Sequence, residues 1–239
     1  MNTKTQPQTQ TSPTSPIQIK IRNVQLEGKA VLYGPNGAGK SFIIRSILSA
    51  ITTRRTADVG LVEVEVAGPV SPVSAVVIDE SGVKQLGTAN IFSINELSFA
   101  DWGGVAVVNP VVARRLSVEV YYNLYYDPDR GWIPLAHMSY GRKRRLAIEA
   151  ALAGANVVLV ENFEAGLHVD AVVDLIKQIA ESDAVVVLET HSGLVLKAAQ
   201  RYGLAIYYVE PLARLRRVER LDDPQIFAGE LSAWNAVVV

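Results

Sequence analysis

Cysteine is absent from all 239 residues, which excludes disulfides, thiolate metal sites and cysteine nucleophiles. Charge of neither sign is in excess: 23 basic against 24 acidic residues leave a net charge of -1, so no whole-molecule attraction draws the chain to nucleic acid or to an anionic membrane. Any contact with DNA must come from a local patch. Long apolar runs are lacking too. The Ala150 to Val160 region is broken by Gly154 and Asn156 and falls short of the roughly 20 residues a membrane helix needs, so no membrane partner is expected. The opening MNTKTQPQTQTSPTSP has no apolar core of a signal peptide and reads as a disordered polar tail over residues 1–16. A cytoplasmic location is the expectation. Aromatic residues are missing before Tyr33, and neither internal repeats nor sustained heptads are found.

What is present is an apolar fraction of 49% beside 20% charged residues, enough for one α/β domain with a full core. Alternation from Ile17 predicts a half-buried strand to Val24, and an apolar strand over 30–33 leads through a glycine-rich turn into a helix over 40–51. Further strands are expected over 59–66 and 74–78. Between 84 and 138 scattered Gly, Pro and Trp leave one predicted helix, 110–125, and a turn at 127–131. Beyond Ser139 helices over 139–153, 168–181 and 193–202 alternate with strands over 156–161, 184–189 and 204–209, the signature of a parallel sheet with crossover helices. A strand over 214–221 and a short terminal helix follow. The expected organisation is a nucleotide-binding core of 17–83 and 139–239, with 84–138 as a second, smaller lobe.

Gly34-Pro35-Asn36-Gly37-Ala38-Gly39-Lys40-Ser41 fits G-x-x-x-x-G-K-[ST] between a strand and a helix. The glycines let backbone N–H groups approach phosphates, Lys40 would neutralise β- and γ-phosphate charge, and Ser41 would ligate Mg²⁺. Val157 to Glu161 is a buried strand that would deliver one carboxylate to that metal. Ser139 is a good N-cap for the helix before it, and a helix start is also an anion site. His191 lies just past the next strand, at the carboxyl edge where parallel sheets bind ligands.

In this order and at these intervals, GPNGAGKS, MSYGRKRR, VVLVENFEAGLH and VVVLETHS resemble the P-loop, signature, Walker B with D-loop, and switch-histidine segments of ABC-type ATPases. The wording of the third is closer to the SMC, RecF and OLD branch of small heads than to transporter subunits. The resemblance implies a P-loop fold with a mostly parallel sheet. It assigns Gly34, Asn36, Gly37, Ala38, Gly39, Lys40 and Ser41 to ATP and Mg²⁺, Glu161 to the metal, and Ser139 and Gly141 to the γ-phosphate held by an opposite protomer. Ala165 to His168 would be a dimer-contacting loop, and His191 a γ-phosphate sensor. The implied working form is a head-to-tail homodimer around two ATP molecules, acting on a protein partner that the residues do not name.

The chain departs from that pattern in several places. About 100 residues separate Ser41 from Ser139 without heptads, so this is a head without coiled-coil arms. The lack of an early aromatic leaves adenine stacking without a candidate. Gln85, after the strand at 74–78, is either the metal-facing glutamine of the family or polar surface. Asn162 stands where the family places its general base; an amide cannot take a proton from water, and loss of a positioned base costs about 10² to 10⁴ in rate. Glutamate at 162 would therefore be expected to speed hydrolysis. Glu164 is a substitute base or a structural acid. The run Arg142 to Arg145 is a solvated, dimer-contacting face or a contact for nucleic acid phosphates. Three readings follow: a slow ATPase, a hydrolysis-deficient nucleotide-gated switch, and a P-loop small-molecule kinase, which leaves the signature and His191 without a role.

Overall fold

The computed structural model describes residues 17–53, 57–59, 62–68, 74–86, 96–98, 120–121, 124–127, 131–134 and 137–221. In chain order, β1 (Gln18–Ile21), β2 (Val24–Leu26) and β3 (Lys29–Tyr33) precede helix α1 (Lys40–Thr53). Strands β4 (Ala57–Val59), β5 (Val62–Ala67), β6 (Ala75–Ile78), β7 (Gly82–Leu86) and β8 (Glu96–Ser98) follow, then β9 (Val120–Tyr121), β10 (Leu124–Asp127) and β11 (Gly131–Pro134). The remainder alternates: α2 (Tyr140–Gly154), β12 (Val157–Val160), α3 (Val169–Glu181), β13 (Val185–Thr190), α4 (Gly193–Arg201), β14 (Ala205–Glu210) and β15 (Arg214–Val218).

Apolar runs without alternation form the centre of an eight-stranded sheet of order β15-β14-β3-β13-β12-β6-β7-β8. The five strands from β14 to β6 run parallel, and β15, β7 and β8 are antiparallel additions at the edges. Parallel strands are covered on both faces, which is why β3, β6 and β12 read as unbroken hydrophobic stretches. Successive side chains go to opposite faces. Val31 and Tyr33 join the cluster packed by α2, α3 and α4, whereas Ala30 and Leu32 join the one packed by α1. Ile43, Ile44, Ile47 and Ala50 fill the second cluster from α1 at helical spacing, each isoleucine worth about 1.5–3 kcal/mol of burial. A small antiparallel sheet of order β2-β1-β5-β4 closes that side through Ile19, Ile21 and Val64. Strands β9 to β11 form a separate three-stranded sheet.

Three expectations change in detail. The single strand expected from Ile17 to Val24 is a hairpin, because the chain reverses at Arg22, whose φ is 52°, and pairs Ile19 with Leu26. The strand expected over 59–66 is likewise a hairpin, β4 with β5. The helix expected over 110–125 is overturned where it is described, since 120–121 and 124–127 are strands, with Tyr126 paired to Trp132. Asp127 and Gly131, the ends of the turn expected at 127–131, pair across β10 and β11, and residues 128–130 lie outside the described residues. Residues 110–119, the polar tail and the expected terminal helix lie outside the described residues. Among the described residues no helix is long and apolar enough to cross a membrane.

Candidate functional site

The P-loop spans the step from β3 to α1, with the helix beginning at Lys40 itself. Gly37 has φ 77°, a left-handed conformation that glycine adopts without a side-chain clash. Lys40 is buried, and its Nζ folds back to donate to the Gly34 and Pro35 carbonyls at 2.9 and 3.0 Å. Burial pushes its ammonium below the usual lysine value, opposed by attraction to Glu189 and Glu164. The loop is buttressed from behind: Ala213 N–H donates to Ala38 O at 3.1 Å, and both Leu212 (φ 65°) and Ala213 (φ 54°) are held in the left-handed region there. Such backbone persists only where its surroundings enforce it.

Around Lys40 and Ser41 the carboxyl ends of β6, β12 and β13 enclose a cleft of about 330 Å³, lined by Ser41, Arg45, Asp79, Glu80, Ser81, Glu161, Asn162, Glu189 and His191. Glu189, at the end of β13 and 5% exposed, accepts from Ser41 Oγ at 2.8 Å through Oε2, and its Oε1 lies 4.0 Å from Lys40 Nζ and 3.6 Å from His191 Nε2. Glu161 pairs with Arg45 at 3.1 Å, an interaction that raises the Arg45 guanidinium above its ordinary value. Ser41, Glu161 and Glu189 together present hydroxyl and carboxylate oxygens, the hard donor set that Mg²⁺ takes. Glu164 binds away from the cleft lining: its carboxylate accepts from Thr190 Oγ1 at 2.7 Å and from His191 N at 2.9 Å, fixing the turn that carries His191.

Asn162 has φ 46°, a region asparagine tolerates better than most residues, and its Nδ2 donates to Glu80 Oε1 at 2.5 Å. Arg144 holds this corner from beneath. Completely buried, it donates from Nη1 to Asp79 O (2.9 Å) and Tyr140 OH (3.3 Å), and from Nη2 to Glu161 O (2.5 Å) and Asn162 O (2.9 Å). One guanidinium thus ties α2 to the ends of both β6 and β12. At the start of α2 Ser139 accepts from Arg142 N at 3.4 Å as its N-cap. Gly141 packs so closely that a Cβ would overlap the Gly166 carbonyl oxygen, so α2 and the 165–168 loop meet backbone to backbone.

The fold therefore brings Ser41, Glu161, Asn162 and His191 to one cleft, with Lys40 buried 4.0 Å from Glu189 and Glu164 bonded to the backbone of His191. Ser139 and Gly141 do not line it. Gln85 is not brought to it by the backbone: it pairs with Val76, two positions short of the carboxyl end of β6, and the turn at that end consists of Asp79, Glu80 and Ser81. The nucleic acid reading of Arg142 to Arg145 loses most of its donors. Lys143 and Arg144 are buried, and Arg145 is bound to Glu149 at 2.8 Å and Asp174 at 2.5 Å. Sequence reasoning missed Glu80, Glu189, Arg45 and Arg144. Only Arg144 left a signal in the pattern, since it shares the i, i+3, i+4, i+7 stripe of Ala147, Ile148 and Ala151, all buried.

A family model described as "AAA domain, putative AbiEii toxin, Type IV TA system" matches residues 106–197. No curated protein matches the chain. Solved structures with this fold include an ATP-binding cassette of an ABC transporter in its ADP conformation (14% identity, TM-score 0.55, covering 92% of this chain and 99% of that one). A nucleotide-free cassette of an ABC transporter aligns at 16% identity and TM-score 0.52, over 88% and 96% of the two chains. The cbiO1 subunit of the Clostridium perfringens transporter complex cbiONQ aligns at 13% identity and TM-score 0.50, over 93% and 94%. At such identities the likeness is one of fold, and with the P-loop at its sheet edge this chain has the fold of an ABC-type P-loop ATPase.

Proposed function

We propose that the chain binds ATP with Mg²⁺ at the P-loop cleft, dimerises head to tail around the nucleotide, and hydrolyses it slowly. The observation that carries this reading is the convergence of Ser41 on α1, Glu161 after β12, and Glu189 and His191 at the end of β13 on one cleft at the carboxyl edge of the parallel sheet, with Lys40 Nζ 4.0 Å from Glu189. Backbone N–H groups of 36–41 would cradle the phosphates, and Lys40 would exchange its two carbonyl partners for phosphate oxygens. Ser41 and Glu161, with Glu189 against the serine, would hold Mg²⁺, which when bound supplies positive charge to the phosphate oxygens. His191, oriented through its backbone by Glu164, would donate a hydrogen bond to the γ-phosphate. Ser139 and Gly141 do not line this cleft and would complete the site of a second protomer, with the 165–168 loop at the same interface. Of the 84–138 stretch expected to form a second lobe, β7 and β8 belong to the central sheet, and the separate sheet of β9 to β11 is assigned to that lobe.

Asn162 favours a second reading, a nucleotide-gated switch that dimerises without appreciable turnover and presents its closed form to a macromolecular partner. Steady-state ATPase measured beside ATP-induced dimerisation separates the two. Turnover that disappears in Lys40→Ala supports the ATPase; dimerisation without such turnover supports the switch. Absence of both removes the proposal.

A further inference from the structure

We infer that Glu80 supplies the general base that position 162 lacks, with Asn162 as the residue that positions it. The inference rests on the reading of the cleft as an ATP site. Among the acids at this edge, Glu189 is engaged by Ser41 and lies close to Lys40 and His191, Glu161 is paired with Arg45, and Glu164 accepts a hydrogen bond on each oxygen, from Thr190 and from the His191 backbone. Glu80 differs from all three. It is exposed, so water reaches it, it lines the same cleft, and its Oε1 is held by the neutral amide of Asn162. A neutral donor orients the carboxylate without occupying it as a cation would.

The turn that carries Glu80 is built to hold it still. Asp79 Oδ1 accepts from Ser81 N, Ser81 Oγ and Gly82 N at 2.8, 2.5 and 3.0 Å, closing the loop on itself. Asp79 O is fixed by Arg144, which also holds the Asn162 carbonyl, so acid and amide are positioned from one guanidinium. In the step itself, a water oxygen forms a bond to the γ-phosphorus while its proton passes to the Glu80 carboxylate. The bond from the γ-phosphorus to the bridging oxygen breaks, the electron pair leaves with ADP, and the proton returns to phosphate or solvent.

The test measures Mg-ATP affinity and single-turnover hydrolysis in the full chain and in Glu80→Gln, Glu80→Asp, Asn162→Ala, Asn162→Glu and the Glu80→Gln/Asn162→Ala double variant. Glu80→Gln is expected to bind within about threefold of the parent and hydrolyse about 10² to 10⁴ more slowly, the usual cost of a lost base. Glu80→Asp falls between, and Asn162→Ala slows the parent but adds nothing to Glu80→Gln, as expected for residues acting as a unit. In place of the gain that the family pattern alone implies, Asn162→Glu, which sets a like charge against Glu80, is no faster than the parent. The inference is overturned if Glu80→Gln keeps the parental rate, if its loss lies in affinity, or if Glu80→Gln and Glu80→Asp are equally slow. Asn162→Glu running several-fold faster than the parent overturns it as well. A parent that binds Mg-ATP without hydrolysing it removes the base and leaves the nucleotide site; a parent that does not bind removes both.

Discussion

Replacing Arg144 with methionine removes the guanidinium that ties α2 to the ends of both β6 and β12, and the size of the loss can be worked from its partners. Four hydrogen bonds disappear. Asn162 O still accepts from Ala165 N at 3.0 Å, so the heavier loss falls on Asp79 O and Glu161 O. An unsatisfied buried acceptor costs about 1–3 kcal/mol, giving about 2–6 kcal/mol for the pair. Relief from burying a guanidinium whose Nε has no hydrogen-bond partner offsets part of this. A net destabilisation of about 3–4 kcal/mol is expected, a large share of the about 5–15 kcal/mol typical of a domain. With a urea m-value of about 2 kcal/mol/M the midpoint should fall by about 1.5–2 M. Arg144→Lys, whose ammonium has three donors and no planar fork, should fall between the parent and the methionine variant. A methionine variant within about 0.5 M of the parent would refute the claim that this guanidinium organises the corner.

Glu164→Gln keeps an acceptor for either Thr190 or the His191 amide but not the charge, so it should cost about 1–2 kcal/mol in urea unfolding and less than about tenfold in turnover. A loss of 10³ would make Glu164 a catalytic acid instead. Arg45→Ala frees Glu161 from its competitor, and the Mg²⁺ concentration for half-maximal turnover should fall a few-fold in a metal titration; a rise would mean that Arg45 helps to build the site. Gly141→Ala should destabilise by about 1–3 kcal/mol because the methyl meets the Gly166 carbonyl, and thermal unfolding at parental temperature would show that the two segments are not in contact.

The central sheet was legible because burial on both faces forces unbroken apolar strands, and 139–218 alternates such strands with helices at the spacing crossovers require. The hairpins were not. Arg22 turns the chain at φ 52° without glycine, so β1 and β2 look like one alternating strand. The tyrosines at 121, 122, 125 and 126 suit helical spacing equally with the paired strands that carry 121, 125 and 126. For the site, segments that act through local chain geometry could be read directly: the P-loop, the Ser139 cap, and Glu161 at a strand end. Glu189 and Glu80 could not, since each gains its role from a partner on another strand, Ser41 in one case and Asn162 in the other. The backbone at Gln85 is the reverse case. An antiparallel turn at Asp79 to Gly82 carries it back down the sheet, away from the phosphate edge.

The account stands on Mg-ATP occupying the P-loop cleft, and equilibrium binding of Mg-ATP to the parent and to Lys40→Ala tests that most directly. Saturable binding by the parent, weakened at least tenfold in Lys40→Ala while both fold alike, is the predicted result. Equal affinity in the two proteins, or no saturable binding by the parent, would contradict it.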